Sequence, residues 1–175
     1  MATMRFVEEA AHSRDGVTRL LEHVDEEFVP ALTSGARSAV SRAPGEAGAT
    51  DIQGYVERCL DRPMIGVFDE DRLVGFCSFK RLEDANALSA FTPTNHVEII
   101  AVDESHRGRG LATRMYRTLL SDLPSAWRAP SVSTKTWDTN AAHIAVLENL
   151  GFEEVARIPD DRGAGVDTLY FARRV

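Results

Sequence analysis

The chain has 175 residues, of which 43% are apolar and 27% are charged, a composition typical of one globular domain rather than a disordered or fibrous chain. Its net charge of −7 argues against broad nucleic-acid binding, which normally needs a basic surface. The two cysteines suggest neither a disulfide framework nor a zinc site, and no segment is long and apolar enough to cross a membrane. We therefore expect a reduced, cytoplasmic protein that binds neither nucleic acid nor membrane.

The N-terminal third of the chain predicts two helices separated by a long loop. A short strand over residues 4–8 precedes a helix that begins after Ser13 and carries apolar residues at helical spacing. Residues 30–50 are rich in Ala, Gly, Ser and Pro, and we interpret them as a mobile loop. A second helix is predicted over residues 51–60.

The remainder predicts a β-hairpin followed by alternating strands and helices. Strands over residues 64–68 and 73–81, joined by a polar turn, form the hairpin. The later elements are a strand at 97–102, a helix at 110–120, a strand at 131–137, a helix at 141–150, and a closing pair of strands at 153–158 and 166–172. This order predicts a mixed sheet with helices on both sides.

A loop rich in glycine and arginine joins a predicted strand to a predicted helix at residues 102–111, Val-Asp-Glu-Ser-His-Arg-Gly-Arg-Gly-Leu. The start of a helix offers free N–H groups and the positive end of its dipole, and glycines allow a ligand to approach the backbone closely. The segment therefore predicts a phosphate or pyrophosphate site. It lacks the lysine of a Walker loop, and Thr113 stands where the dinucleotide fingerprint needs Gly or Ala.

Two motifs, in this order along the chain, indicate a family. The first is Arg-x-x-Gly-x-Ala at Arg107, Gly110 and Ala112, directly after an apolar strand. The second opens with Asn140, a candidate helix cap, and closes with Leu-Gly-Phe at residues 150–152, whose glycine suits a left-handed helix end. Together they resemble the acyl-CoA pyrophosphate loop and the fourth helix of the GNAT-type N-acetyltransferase superfamily.

The resemblance implies a fold, a co-substrate and a set of donor-binding residues. The fold is an α/β (α+β) acetyltransferase fold, with a mixed, mostly antiparallel sheet of about six or seven strands and about four flanking helices. It would form a single N-acetyltransferase domain over residues 1–175, with acetyl-CoA as co-substrate and no metal. The residues that would bind the cofactor are Ile100, Ala101, Val102, Arg107, Gly108, Arg109, Gly110, Leu111, Ala112, Thr113 and Asn140.

Acetylation of a primary amine at neutral pH benefits from a base, because a free alkylamine has a pKa of about 10. Glu98 is the first candidate and His96 the second, since strand alternation places both on one face with Ile100 and Val102. The backbone N–H of Ile100 is the candidate oxyanion donor. Many relatives have a tyrosine that protonates the leaving thiolate; Leu147 stands at that position, so the proton donor is left open.

Two further residues have a predicted place in the fold. Trp137, at the end of a strand, could line the acceptor pocket or fill the core, and the core is favoured because most tryptophans are largely buried. Cys77 lies on a hairpin strand beside the expected substrate cleft, which keeps an acyl-enzyme intermediate open as an alternative to direct transfer.

We predict an enzyme that moves an acetyl group from acetyl-CoA to a primary amine by direct attack in a ternary complex. The acceptor is a small-molecule or peptide amine that the sequence does not identify, and the resemblance is compatible with a homodimer. Leu147 keeps open a non-catalytic acyl-CoA-binding sensor or scaffold. A nucleotide-binding α/β protein unrelated to CoA is the third reading, in which the glycine loop binds another phosphate.

Overall fold

The computed structural model describes residues 1–35 and 51–175, and a seven-stranded sheet lies at its centre. The strands are β1 (Thr3–Val7), β2 (Met64–Asp69), β3 (Arg72–Leu82), β4 (Thr94–Val102), β5 (Ser131–Trp137), β6 (Glu153–Ile158) and β7 (Thr168–Arg174). Their order across the sheet is β1-β2-β3-β4-β5-β7-β6. β4 and β5 are parallel and the other neighbouring pairs are antiparallel. The sheet is therefore mixed and mostly antiparallel, as predicted.

Helices cover both faces of the sheet. Those of the described residues are α1 (Arg14–Val24), α2 (Ile52–Leu60), α3 (Leu111–Ser121) and α4 (Ala141–Asn149). On one face, apolar residues of α1 and α2, such as Val56, pack with Ile99 of β4. On the other face, Met115 of α3 and Leu147 of α4 pack with Val97 of the same strand. The apolar faces of these helices pack against the two faces of the sheet and form one half of the core on each side.

The parallel strands β4 and β5 pair over only three residues each. Asn95 to Val97 lie opposite Val132 to Thr134, and the pairing ends there although both strands continue. The strands diverge beyond this point and open a cleft between their C-terminal ends. This cleft is where the sheet presents backbone groups to a ligand.

A β-bulge in β4 changes which side chains share a face. Ser78 of β3 pairs with Ile99, whereas the adjacent Phe79 pairs with Val97, so Glu98 is an extra residue in β4. A bulge bends the strand and shifts the alternation of side chains by one. Val97 and Ile100, three positions apart, consequently pack on the same side of the sheet.

The bulge makes one sequence prediction wrong. Strand alternation had placed His96 and Glu98 on one face with Ile100 and Val102. In the structure Ile100 and Val102 pack on the face covered by α3 and α4. His96 neighbours Val97 on regular strand and points to the opposite face, and Glu98 is ion-paired on that same side with Lys80. A one-residue insertion leaves no trace in an alternation pattern, which is why the sequence missed it.

The predicted fold class is confirmed, and the predicted elements differ from the observed ones mainly at their ends. β4 begins at Thr94, three residues earlier than predicted, because Thr94, Asn95 and His96 are buried and continue the pairing with β3. Residues 36–50 of the predicted mobile loop lie outside the described residues. No helix within residues 1–35 and 51–175 is long and apolar enough to span a membrane.

Replacing Gly16 in α1 by alanine should destabilise the protein, even though alanine favours helix. A Cβ at this position would lie 2.7 Å from the Cβ of Leu73, an atom fixed close to the β3 backbone. We expect a loss of about 1–3 kcal/mol in the free energy of unfolding, measured by chemical denaturation. Gly35→Ala is the matched control, because no atom of residues 1–35 and 51–175 lies within 4 Å of its added Cβ. Equal stability of the two variants would contradict this packing.

Candidate active site

The cleft between β4 and β5 opens into a cavity of about 510 Å³. It extends from the loop that joins β4 to α3, past the diverging strand ends, to the segment that follows α1. Most of the predicted donor-binding residues line it: Ile100, Ala101, Val102, Arg107, Gly108, Gly110, Leu111, Ala112, Thr113 and Asn140. Arg109 alone of the predicted set does not line the cavity. The fold therefore brings together segments separated by some forty residues of chain.

Asp103 anchors the loop between β4 and α3. Its carboxylate accepts hydrogen bonds from the backbone N–H (3.1 Å) and hydroxyl (2.6 Å) of Ser105, which shape the loop locally. Arg19 of α1 donates to the same carboxylate at 2.9 Å and Arg72 of β3 at 3.2 Å. The Ser105 bonds, and then the arginines, lower the pKa of Asp103 to about 2. Four donors from three parts of the chain thus converge on one carboxylate.

His106 ties the same loop to the end of β2. Its Nε2 lies 3.2 Å from Oδ2 of Asp69, and its Nδ1 lies 2.9 Å from the Ser105 hydroxyl. The bond from His106 lowers the pKa of Asp69. Only 8% of His106 is exposed, at the wall of the cavity. The loop is therefore held rigid before any ligand enters.

Two glycines shape the turn that leads into α3. Gly108 and Gly110 have φ angles of 72° and 69°, in the left-handed region that side chains rarely adopt. No heavy atom of the described part of the chain lies within 4 Å of a Cβ built on either residue, so none of these atoms fills the space beside the two glycines. The first N–H groups of α3 face this open turn, which is a geometry suited to an anion.

The arginines of this loop make contacts that the sequence did not indicate. Arg107 donates from Nε to the carbonyl of Val102 at 3.1 Å and from Nη2 to Glu27 at 2.9 Å. Arg109 donates to the carbonyl of Ser105 at 3.1 Å. Arg107 therefore bridges the glycine loop and the segment after α1, on opposite sides of the cavity mouth.

Glu98 lies in the cavity wall between two cations. Its carboxylate is ion-paired with Arg62, just after α2, and with Lys80 of β3 at 3.0 Å. Only 5% of its side chain is exposed. Two cations from different elements therefore hold this one carboxylate in the cavity wall. The bulge, rather than alternation, is what presents this side chain to the cavity.

His96 is placed differently. It is fully buried, and its Nδ1 lies 2.9 Å from the hydroxyl of Ser133 on β5. Its ring also packs against that of Tyr170, with centroids 6.4 Å apart. His96 is not among the residues that line the cavity. The structure therefore separates the two candidate bases and leaves only Glu98 beside the cavity.

Two aromatic rings form the cavity wall beyond Glu98. Trp137, at the end of β5, and Phe28, after α1, have ring centroids 5.7 Å apart and both line the cavity. The guanidinium of Arg162 lies over Trp137 at 5.5 Å from its centroid and donates to the carbonyl of Val29 at 3.0 Å. The prediction that Trp137 fills the core is wrong, because the divergence of β5 from β4 leaves its ring in the cleft.

The fourth helix begins where the Asn140 motif predicts, but Asn140, which precedes it, does not bond as a helix cap. Asn140 makes no side-chain cap bond to the helix and instead donates from Nδ2 to the hydroxyl of Thr136 at 3.1 Å. The helix ends as predicted, with Gly151 at a φ of 77°. Leu147 is fully buried and lies in the core, away from the cavity.

Sequence reasoning missed a polar pair between α3 and α4. The hydroxyl of Tyr116, on α3, lies 2.8 Å from Nε2 of His143, on α4, and His143 lines the cavity. Burial lowers the pKa of His143 to about 4, so its ring is neutral at pH 7. Burial likewise raises the pKa of Tyr116. No periodic pattern links two residues 27 positions apart on different helices, so only the fold reveals the pair.

Cys77 is unsuited to carry an acyl group. It is fully buried in the core and does not line the cavity. Burial raises the pKa of its thiol, which opposes formation of the nucleophilic thiolate. Direct transfer is the alternative that this placement favours.

The chain belongs to the GNAT family of acetyltransferases. The model of the Acetyltransferase (GNAT) family matches residues 37–152, well over half of the chain. That range includes the diverging strands, the glycine loop and α4. No curated protein gives a significant match.

Solved structures share the fold at low sequence identity. One, provisionally described as a phosphinothricin N-acetyltransferase, is 18% identical, with a TM-score of 0.68 over 100% of this chain and 99% of that one. A ribosomal-protein-alanine N-acetyltransferase from Brucella melitensis is 16% identical, with a TM-score of 0.67 over 99% of each chain. A Salmonella typhimurium protein, provisionally described as an acetyltransferase and solved with its cofactor acetyl-CoA, is 17% identical, with a TM-score of 0.64 over 99% of this chain and 94% of that one.

The anchoring of the loop by Asp103 predicts a pH-dependent contribution to stability. The pKa of Asp103 is about 2 in the folded protein, against an ordinary value of 3.8, so its contribution is complete above about pH 4. It is lost as the pH falls through 3.8 towards 2. Asp103→Asn should therefore cost on the order of 1–2 kcal/mol at pH 6 and clearly less at pH 3, by urea denaturation. A cost that does not change with pH would contradict the role of this carboxylate.

Proposed function

We propose that this protein transfers an acetyl group from acetyl-CoA to a primary amine, by direct attack in a ternary complex. One observation carries the proposal: a single cavity has the glycine loop at one end, the diverging β4 edge along its middle and Glu98 with an aromatic wall at the other. Membership of the GNAT family supports acetyl-CoA as the donor. The amine is a small molecule or a peptide.

The donor would lie along β4, with its pyrophosphate on the glycine loop. Ile100, Ala101 and Val102 lie beyond the last pairing of β4 with β5, so a pantetheine arm could take the place of the missing strand. The amides of residues 107–112, with Thr113, would bind the phosphates at the start of α3. Asn140 would contact the arm from the facing helix.

The reacting groups would meet near the bulge. The amine nitrogen attacks the thioester carbonyl carbon, and the backbone N–H of Ile100 stabilises the oxyanion, a contribution usually worth a few kcal/mol. Glu98, directly or through a water, takes the proton that the amine loses. The C–S bond then breaks and CoA leaves as a thiolate. Glu98 is preferred to His96 because His96 lies outside the cavity wall.

Helix α4 has no tyrosine that could protonate the leaving thiolate. Leu147 occupies that position and is buried in the core. The thiolate of CoA instead takes a proton from water, or the proton that the amine has released. The same observation supports the second candidate function, a non-catalytic acyl-CoA-binding sensor or scaffold, which would bind the donor and show no turnover with any amine.

Calorimetric titration with acetyl-CoA tests the donor site. We expect micromolar binding, weakened at least about tenfold in the Arg107→Ala/Arg109→Ala variant if these side chains or their loop hold the phosphates. Glu27→Gln removes the competing partner of Arg107 and should strengthen binding by up to about threefold. Absence of binding to the wild type would overturn the donor site, and with it both candidate functions.

Turnover of a panel of primary amines tests the base. Glu98→Gln should lower kcat by at least about 100-fold, because an amide cannot accept the proton, with the KM for acetyl-CoA little changed. Lys80→Gln is the matched control, since it removes one ion-pair partner and keeps the carboxylate. If Glu98→Gln turns over amines as fast as the wild type, Glu98 is not the base. No turnover despite donor binding would favour the sensor or scaffold.

A further inference from the structure

A short segment after α1 touches both ends of the cavity. We call residues 25–33 the strap. Its Glu27 is ion-paired with Arg107 of the glycine loop, with 2.9 Å between the carboxylate oxygen and the guanidinium nitrogen. The next residue, Phe28, packs its ring against that of Trp137 at 5.7 Å between centroids. Two consecutive residues therefore join the proposed phosphate site to the aromatic wall.

The strap is braced internally, so Glu27 and Phe28 should move together. The carboxylate of Asp25 accepts hydrogen bonds from the backbone N–H of Thr33 at 2.9 Å and from its hydroxyl at 2.6 Å. The backbone carbonyl of Asp25 accepts from the N–H groups of Phe28 at 3.4 Å and Leu32 at 3.3 Å. Leu32 is fully buried and fixes the far end of the strap. The turn that carries Glu27 and Phe28 is therefore the part that a ligand can displace.

Arg107 can exchange the partner at one edge of its guanidinium while the other edge stays bound. Its Nε donates to the carbonyl of Val102 at 3.1 Å, which holds the side chain at the end of β4. Its Nη2 donates to Glu27. The side chains are 42% exposed for Arg107 and 51% exposed for Glu27, and an ion pair so exposed contributes little to stability. A phosphate that also binds the N–H groups of the glycine loop would therefore displace the carboxylate.

Displacement of Glu27 would move this turn of the strap outward. Once the guanidinium of Arg107 binds a phosphate, the carboxylate of Glu27 loses its cation and gains an anionic neighbour, and like charges repel. Because Phe28 follows directly in the chain, its ring would move away from Trp137. The ring of Trp137 would then be more exposed to water.

We propose that Glu27 is an internal stand-in for a donor phosphate, and that the strap links the two ends of the cavity. The proposal rests on the donor site of the proposed function. With no donor bound, Glu27 holds Arg107 and keeps Phe28 against Trp137. Binding of the pyrophosphate releases Glu27, and the aromatic wall opens at the end of the cavity where the acceptor amine would enter.

The test uses 3′-phospho-ADP, the part of CoA that lacks the pantetheine arm. In the proposed placement this nucleotide fills only the glycine-loop end of the cavity and does not touch Trp137. Trp127→Phe removes the other tryptophan of the chain, so that Trp137 is the one tryptophan that emits. Titration with the nucleotide should shift the emission of Trp137 to the red, along the same saturation curve as binding measured by calorimetry.

Glu27→Ala in the same background removes the stand-in. This variant should bind the nucleotide as tightly as its parent or up to about threefold more tightly, because Arg107 has no competing carboxylate. The emission of Trp137 should then not respond to the nucleotide. Glu26→Ala is the matched control, since it removes the neighbouring exposed carboxylate and should keep the full red shift. A red shift that persists in Glu27→Ala would overturn the role of Glu27.

A second measurement keeps both tryptophans in place. In the wild-type chain labelled with 5-fluorotryptophan, the ¹⁹F resonance of Trp137 should move when the nucleotide binds. The resonance of Trp127, whose ring packs against Phe6 outside the cavity, should not move. Equal shifts of the two resonances would contradict a change confined to the aromatic wall.

The outcomes separate this proposal from the proposed function. If neither CoA nor 3′-phospho-ADP binds the wild type, the donor site is overturned, and the stand-in role of Glu27 with it. If CoA binds and millimolar nucleotide does not, the phosphates do not occupy the glycine loop, which overturns the displacement of Glu27. If both bind and Trp137 does not respond, only the link through the strap is overturned.

Discussion

The early end of pairing between β4 and β5 is the constraint on which the rest of this structure depends. Past Val97 and Thr134 the two strands no longer satisfy each other's backbone groups, and a backbone left unpaired inside a protein is costly. A ligand that resembles a strand is one way to meet that demand. The bulge at Glu98 lies at the same point of β4. The cleft therefore opens at the place where the bulge turns the charged side chain of Glu98 into it.

An open cleft would be of little use without a rigid loop at its end. Asp103 supplies that rigidity, because it gathers donors from α1, β3 and its own loop around one carboxylate. The glycines of the loop then contribute only its backbone shape. The fold, rather than the ligand, sets the direction of their N–H groups. Preorganisation of this kind lowers the entropic cost of binding.

Much of the fold was open to sequence reasoning, because strands, helix ends and the glycine loop each have a local signature. Gly151 at a helix end and the glycines before α3 are examples in which the required backbone conformation selects the residue. The site was less accessible. The bulge inserts one residue without altering composition, Trp137 was assigned by its usual burial, and the contact of Tyr116 with His143 joins distant positions. These features arise from the packing of helices and strands that are distant in sequence, so a short stretch of sequence does not reveal them.

The two halves of the cavity are held by different parts of the chain, and this separation bears on how such a protein can change over generations. Arg162, in the connection between β6 and β7, packs over Trp137 and donates a hydrogen bond to the carbonyl of Val29. The glycine loop is instead held by hydrogen bonds to Asp103. Altered lengths or residues in that distant connection would act first on the Trp137 wall and would reach the glycine loop only through the Arg107–Glu27 pair. A lineage with this architecture can change the molecule bound at the Trp137 wall while it keeps the one bound at the glycine loop, because most contacts that hold the two walls come from different segments of the chain.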